Sequence, residues 1–105
     1  MMIHSLLAFV SGVSVMTIAD KVPEYKYQQG CRAALEQMPG RYEKCVESEE
    51  GARTKLMAEW SKFSVADRTT CIGASSAGGS PSYVELLVCL GIKADVRDIR
   101  SKEQK

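Results

Sequence analysis

Residues 41–63 read RYEKCVESEEGARTKLMAEWSKF and carry the strongest helical pattern in the chain. Their apolar side chains recur near one face at 3.6 residues per turn, at Tyr42, Val46, Leu56, Trp60 and Phe63. Glu49 and Arg53 stand four residues apart, so we predict that they pair on the exposed face. The pattern predicts one long amphipathic helix with Trp60 in the core.

Shorter helices are predicted on both sides of this one. Upstream, residues 31–38 are mostly good helix formers, and Pro39-Gly40 then predicts a turn. Downstream, Ser64 and Asp67 match the S-x-x-D start signal of a helix over residues 65–75. A glycine-rich connection follows, and Ser80-Pro81 is predicted as the N-cap and first residue of a fourth helix.

The fourth helix has an apolar face, formed by Tyr83, Leu86, Leu87 and Leu90. Gly91 could end or bend this helix, or Ile92, Val96 and Ile99 could extend it. The charged tail, residues 101–105, is expected to fray. No segment alternates convincingly between polar and apolar residues. The chain is therefore predicted to be all-α, a small helical-hairpin bundle of about four helices.

Four cysteines, Cys31, Cys45, Cys71 and Cys89, could pair in three ways. Across the predicted turn at residues 39–40, Cys31 and Cys45 are offset by only about 3 Å along the helix axes. The offset is about 6 Å for Cys71 with Cys89 and about 18 Å for Cys45 with Cys71. Because a disulfide needs Cα atoms roughly 4.4–6.8 Å apart, we predict the pairs Cys31–Cys45 and Cys71–Cys89, which staple the bundle.

The first 19 residues differ from the rest of the chain. Residues 3–19 contain no charged side chain other than His4 when it is protonated, and Thr17-Ile18-Ala19 precedes the polar Asp20. This layout predicts a signal peptide over residues 1–19 and a single mature domain over residues 20–105, in the periplasm or secreted. The n-region lacks Lys and Arg, so an alternative remains open. In that alternative, residues 3–19 stay in place as a short inner-membrane anchor.

Few residues in the mature domain could perform chemistry. The single histidine, His4, lies in the predicted signal, which excludes histidine-based triads and the commonest metal ligand. The cysteines form no C-x-x-C motif and lack zinc-site spacing. We therefore predict no enzyme, no catalytic residue, no metal and no cofactor. Carboxylates such as Glu47 and Glu50 would revive catalysis only if they were buried together in a cleft.

The expected function is binding of another macromolecule, a protein of the cell envelope. The 14 Lys and Arg are mixed with 13 Asp and Glu, so no basic footprint for nucleic acid is present. Because loops carry function more often than packed helices, the candidate contact residues are Tyr25 and Tyr27, and Tyr83 beside the connection over residues 73–82. A membrane partner is expected only if residues 3–19 are retained, which would make the chain an anchored accessory subunit of an envelope complex.

Two resemblances add to this interpretation. The spacing C-x13-C, W-x-x-F, D-R-x-x-C and G-x-P-S-Y-V-E-L-L-x-C-L, within residues 31–90, resembles small four-cysteine exported bacterial proteins of uncharacterised function. It implies an exported location and a helical architecture, and no activity. A second similarity is to LprI-type lysozyme-inhibitor proteins, at Cys31, Cys45, Trp60, Arg68 and Cys71. It implies lysozyme inhibition as an alternative function, with a lysozyme-type hydrolase as partner.

Overall fold

The computed structural model describes residues 20–35 and 40–104, and regular secondary structure in this part of the chain is entirely helical. The helices are α1 (Gln28–Leu35), α2 (Arg41–Glu59), α3 (Val65–Ser76) and α4 (Tyr83–Glu103), with a 3₁₀ turn, Trp60–Lys62, after α2. Helix α1 packs on α2, and α4 packs on both α2 and α3. The predicted all-α bundle of about four helices is confirmed. The predicted signal peptide and Pro39 lie outside the described residues.

Both predicted disulfides are present. Cys31–Cys45 joins α1 to α2 with a Cα–Cα distance of 5.5 Å, and Cys71–Cys89 joins α3 to α4 at 5.6 Å. No cysteine is left free. Such a disulfide content indicates folding in an oxidising compartment. Among the helices of residues 20–35 and 40–104, none qualifies as a membrane span.

The core lies where α2, α3 and α4 meet. Leu56 of α2 and Leu86 and Leu90 of α4 are fully buried, and Trp60 closes the end of α2. The predicted apolar faces of α2 and of the first half of α4 are confirmed by these residues. Arg68 lies over the Trp60 ring, 5.6 Å from its centroid, and donates a hydrogen bond from Nε to the Phe63 carbonyl at 3.0 Å. These contacts hold the turn between α2 and α3 in place.

The start of α3 follows the prediction, whereas the start of α4 does not. The Ser64 hydroxyl accepts a hydrogen bond from the Asp67 amide at 3.1 Å and caps α3. Helix α4 is capped by Ser82 rather than by Ser80, and the Ser82 hydroxyl accepts from the Glu85 amide at 3.2 Å. The later start leaves Ser82 free to donate its own hydroxyl proton to Glu49, at 2.6 Å. A tertiary contact thus selects between two serines with similar capping ability.

Two helices differ in extent from the prediction. Helix α1 begins at Gln28, three residues before its predicted start, and passes through Gly30, whereas its predicted last residues, 36–38, lie outside the described residues. Helix α4 continues through Gly91, so the predicted extension through Ile92, Val96 and Ile99 is confirmed, and it also includes residues 101–103, which were predicted to fray. Helical stability in proteins comes mostly from tertiary packing rather than from propensity, and each of these helices is held to its neighbour by a disulfide. The cost of about 1 kcal/mol for an internal glycine is therefore tolerated.

An ion pair joins the start of α3 to the second half of α4. Arg97 donates from Nε to Asp67 Oδ2 at 2.7 Å, and its Nη2 donates to Asp67 Oδ1 at 3.0 Å and to the Ser64 hydroxyl at 3.2 Å. The Arg97 guanidinium holds the pKa of Asp67 below its ordinary value of 3.8; the Ser64 hydroxyl acts in the same direction, and burial acts against both. The pair joins α4 to α3 at a second place, C-terminal to the Cys71–Cys89 disulfide.

We expect this ion pair to make stability fall in acid. The pKa of Asp67 is lower in the folded state than in the unfolded state. The contribution of Asp67 to stability is therefore complete above its unfolded-state pKa, and it is lost as the pH falls through its folded-state pKa. The difference in unfolding free energy between wild type and Asp67→Asn should therefore shrink between about pH 5 and about pH 2. Urea titrations at several pH values measure it.

The control is Asp98→Asn, because the Asp98–Lys102 pair, at 3.2 Å, is exposed and spaced four residues apart on α4. Exposed pairs of this kind contribute little, so Asp98→Asn should change stability only slightly at every pH. If Asp67→Asn lowered the free energy of unfolding as much at the lowest pH as at the highest, the ion pair with Arg97 would not be the source of the stabilisation.

Candidate functional site

Helix α4 carries apolar side chains on two opposite faces. The inner face packs against α2 and α3 through Tyr83, Leu86 and Leu90. The other face, called here the outer stripe, consists of Val84, Val88, Ile92, Val96 and Ile99. Three of these, Val88, Ile92 and Ile99, are 55–57% exposed, and Val96 is 38% exposed. The stripe is therefore open to solvent along most of its length.

The outer stripe lies on the side of α4 opposite to the inner face. Ile92, Val96 and Ile99 extend the helix, as predicted, but their side chains do not lie on the inner face. Ile92 follows Tyr83 by nine residues, which is two and a half turns of helix, so it points away from Tyr83. The spacing of four residues from Val84 to Val96 instead joins these side chains to Val84 and Val88. The stripe runs for about 23 Å along α4.

Three attachments hold the outer stripe in a fixed orientation. The Cys71–Cys89 disulfide fixes the first half of α4 to α3, and Arg97 pairs with Asp67 further along. At the start of the helix, Glu49 Oε1 accepts a hydrogen bond from the Tyr83 amide at 2.6 Å, while Oε2 accepts from the Ser82 hydroxyl. A carboxylate at a helix N-terminus also interacts favourably with the helix dipole. The stripe is consequently presented on a preorganised element.

A shallow depression lies on the first half of the outer stripe. It has a volume of about 380 Å³ and is lined by Val84, Glu85, Val88, Cys89, Ile92 and Lys93. Its lining is almost wholly apolar and it opens broadly to solvent. Surfaces of this kind bury apolar groups of a partner, whereas catalytic pockets bring several polar groups together in a concave site. The lining of this depression is therefore that of an apolar contact surface.

Of the three tyrosines predicted to contact a partner, Tyr27 and Tyr83 lie in the core and Tyr25 packs against it. Tyr83 is 1% exposed and Tyr27 is 7% exposed, while Tyr25 is half-buried. The Tyr83 ring lies 5.0 Å from the Tyr25 ring and 5.9 Å from the Tyr27 ring, measured between centroids. Its hydroxyl donates to the Pro23 carbonyl and accepts from the Tyr25 amide, both at 2.8 Å. Burial contradicts the prediction that Tyr27 and Tyr83 form an exposed contact surface.

The acidic residues of α2 divide into a buried one and exposed ones. Glu49 is buried and bonds to the start of α4, so the predicted surface pair with Arg53 is wrong. Arg53 instead forms an ion pair with Glu24, with 3.7 Å between Nη2 and Oε2. Glu49 occupies the helix face shared by Cys45, Ala52 and Leu56, which is the signal that would have placed it in the core.

Glu47 and Glu50 do not form the buried pair that was considered from the sequence. Glu47 and Glu50 are both exposed, and Glu50 accepts a hydrogen bond from the Tyr27 hydroxyl, which raises the pKa of Tyr27 to about 12. A second depression, of about 340 Å³, includes Glu49 and Glu85 in its lining. Both oxygens of Glu49 are already occupied by Ser82 and Tyr83. Within residues 20–35 and 40–104, no group of three or more His, Cys, Asp or Glu is placed to hold a metal ion.

No family model, curated protein or solved structure matches the chain. The resemblances to four-cysteine exported proteins and to lysozyme inhibitors remain predictions from the sequence. What the fold and the surface define is a disulfide-stapled helical protein with an exposed apolar face on its longest helix.

Proposed function

We propose that the protein is a non-enzymatic, exported protein that acts in the periplasm by binding another macromolecule of the cell envelope. The observation that carries this proposal is the outer stripe of α4. Scattered exposed apolar residues are normal on any protein surface, whereas contiguous apolar patches mark sites of interaction. Val84, Val88 and Ile92 line one continuous depression, and Val96 and Ile99 continue it along the same helix.

The proposed location is supported by two features that are independent of each other. The two disulfides require an oxidising compartment to form and persist. The uncharged, mostly apolar stretch over residues 3–19, which ends in small residues before Asp20, has the layout of a cleavable secretory signal. The periplasm meets both conditions.

The proposed mode of action follows from the rigidity of α4. A partner that covers the outer stripe removes apolar surface from water, which drives association. Because α4 is held by a disulfide, an ion pair and the Glu49 contacts, little of that gain is offset by ordering the helix on binding. A charge placed within the stripe should therefore weaken binding without disturbing the fold.

The test compares two variants that differ only in where a charge is placed. Val88 in the outer stripe and Val65 at the start of α3 are the same residue type and are both 56% exposed. Tagged protein with its disulfides intact is recovered from the periplasm of the native host after brief cross-linking. We expect Val88→Glu to lose the cross-linked partners and Val65→Glu to keep them, since burying an unpaired charge in an interface is strongly unfavourable.

Equal capture by wild type and Val88→Glu would contradict the proposed surface. A different result would contradict the proposal that the protein acts by binding and not by catalysis. In that result no partner is retained, and the purified protein converts a substrate at a rate that depends on one of its carboxylates. Absence of the protein from the periplasmic fraction would contradict the proposed location.

A further inference from the structure

We propose that the outer stripe of α4 pairs, in antiparallel orientation, with the same stripe of a second copy of this chain. The inference rests on the proposed function only in taking the outer stripe as a binding surface. Beyond that, the pairing names a second copy of the chain as one occupant of the stripe and gives the register of the two helices. The symmetry of the stripe, the charges beside it and its size support this pairing.

The stripe is symmetric about Ile92. Val88 and Val96 lie four residues before and after it, and Val84 and Ile99 lie near the two ends. When two such helices run antiparallel with Ile92 at the centre, Ile92 meets Ile92 of the partner subunit. Val88 then meets Val96 of the partner subunit, and Val96 meets the partner's Val88. Every apolar position near the centre thus faces another apolar position, as a two-fold interface requires.

One pair of charges beside the stripe, Glu85 and Arg100, agrees with this orientation. In a two-fold antiparallel pair, residues on one flank of a helix meet residues on the same flank of the other. At 100° per residue, Glu85 and Arg100 lie on the same flank of the stripe. They stand seven residues before Ile92 and eight residues after it. Glu85 therefore lies opposite Arg100 of the partner subunit, and the two-fold axis repeats the pair. Opposite charges placed in this way select orientation and register more than they add affinity.

The size of the stripe predicts a weak, reversible dimer. Four exposed side chains and the smaller exposed part of Val84, along about 23 Å of helix, offer less than the roughly 800 Å² per partner of a standard interface. We expect a dissociation constant on the order of micromolar or weaker. A dimer of this strength exchanges with any other macromolecule that uses the same face.

Sedimentation equilibrium on the purified, disulfide-intact chain tests the pairing, from about 1 μM to about 1 mM protein. Wild type should pass from monomer to dimer over this range. Ile92→Glu should raise the dissociation constant at least about 100-fold, because the two-fold axis brings the two introduced carboxylates together. Val65→Glu should leave the constant unchanged. Ile92 is 57% exposed, so Ile92→Glu is expected to fold, and far-ultraviolet circular dichroism verifies this.

A charge swap tests the register. Glu85→Arg and Arg100→Glu should each weaken the dimer about 5-fold, because each places like charges opposite one another twice. The double variant carrying both changes should return to near the wild-type constant. A wild-type chain that stays monomeric at the highest concentration overturns the inference, as does a dimer that Ile92→Glu leaves intact or a double variant that is not rescued. A monomeric wild type whose envelope partners are still lost in Val88→Glu would leave the proposed function standing while this inference fails.

Discussion

Replacing Tyr83 by alanine is expected to lower the free energy of unfolding by about 3–5 kcal/mol. The side chain is 1% exposed and packs between Tyr25 and Tyr27, so its removal opens a cavity at the centre of the molecule. It also removes the hydroxyl that links the start of α4 to the segment before α1. Domains of this size are stable by only about 5–10 kcal/mol, and the variant should lose a large part of that.

Tyr83→Phe is the matched variant, because it keeps the ring and removes only the hydroxyl. The Pro23 carbonyl and the Tyr25 amide then lose a partner, which should cost about 1–2 kcal/mol. Urea denaturation followed by circular dichroism measures both variants. If Tyr83→Phe cost as much as Tyr83→Ala, the stabilisation would come from the hydroxyl bonds and not from ring packing.

Removing one disulfide by a double substitution to alanine should cost about 3 kcal/mol for either pair. In the chain-entropy model the cost depends on the residues enclosed, and the separations are 18 for Cys71–Cys89 and 14 for Cys31–Cys45. The entropic parts of the two costs should then differ by only about 0.2 kcal/mol. Guanidinium denaturation of both double variants gives the comparison, and double substitution avoids leaving an unpaired thiol.

The two disulfides should differ far more in their effect on binding than on stability. Cys71–Cys89 fixes the helix that carries the outer stripe, whereas Cys31–Cys45 fixes α1 to α2 on another part of the molecule. Under conditions where both double variants remain folded, loss of Cys71–Cys89 should weaken partner capture and loss of Cys31–Cys45 should not. Equal weakening by both would show that the orientation of α4 does not depend on its disulfide.

Much of the fold could be predicted from the sequence because its signals are local. The period of apolar residues over 41–63, the Ser64 cap and the short connections between cysteines each depend on residues close together in the chain. At each of the two turns, helical geometry then predicted that one pair of cysteines lies close enough to form a disulfide. Local geometry was sufficient here because both disulfides close hairpins between consecutive helices.

The features that the sequence did not reveal depend on contacts between distant residues. Glu49 is charged and was expected at the surface, but two donors from the start of α4 stabilise it in the core. The same contact chooses Ser82 over Ser80 as the cap. Tyr83 was assigned to the inner face and also to a contact surface, and only the packing of Tyr25 and Tyr27 against it decides between them.

The outer stripe was missed for a further reason. Apolar residues surround much of α4, so periodicity alone cannot say which of its faces the rest of the chain covers. Leu86 and Leu90 are covered because α2 and α3 lie on their side of the helix, and Ile92 is left exposed on the other side. The candidate site is thus a property of the packing and not of a motif.

The order of the cysteines has a consequence for how the molecule matures. The first cysteine bonds with the second and the third with the fourth, Cys31 with Cys45 and Cys71 with Cys89. A polypeptide that enters an oxidising compartment with its N-terminus first exposes the members of each native pair consecutively. The first pair can close before the second pair has arrived, so simple oxidation in order of emergence gives the native bonds. Thiol–disulfide exchange, which proceeds through mixed disulfides and can take hours, is then not required to correct them.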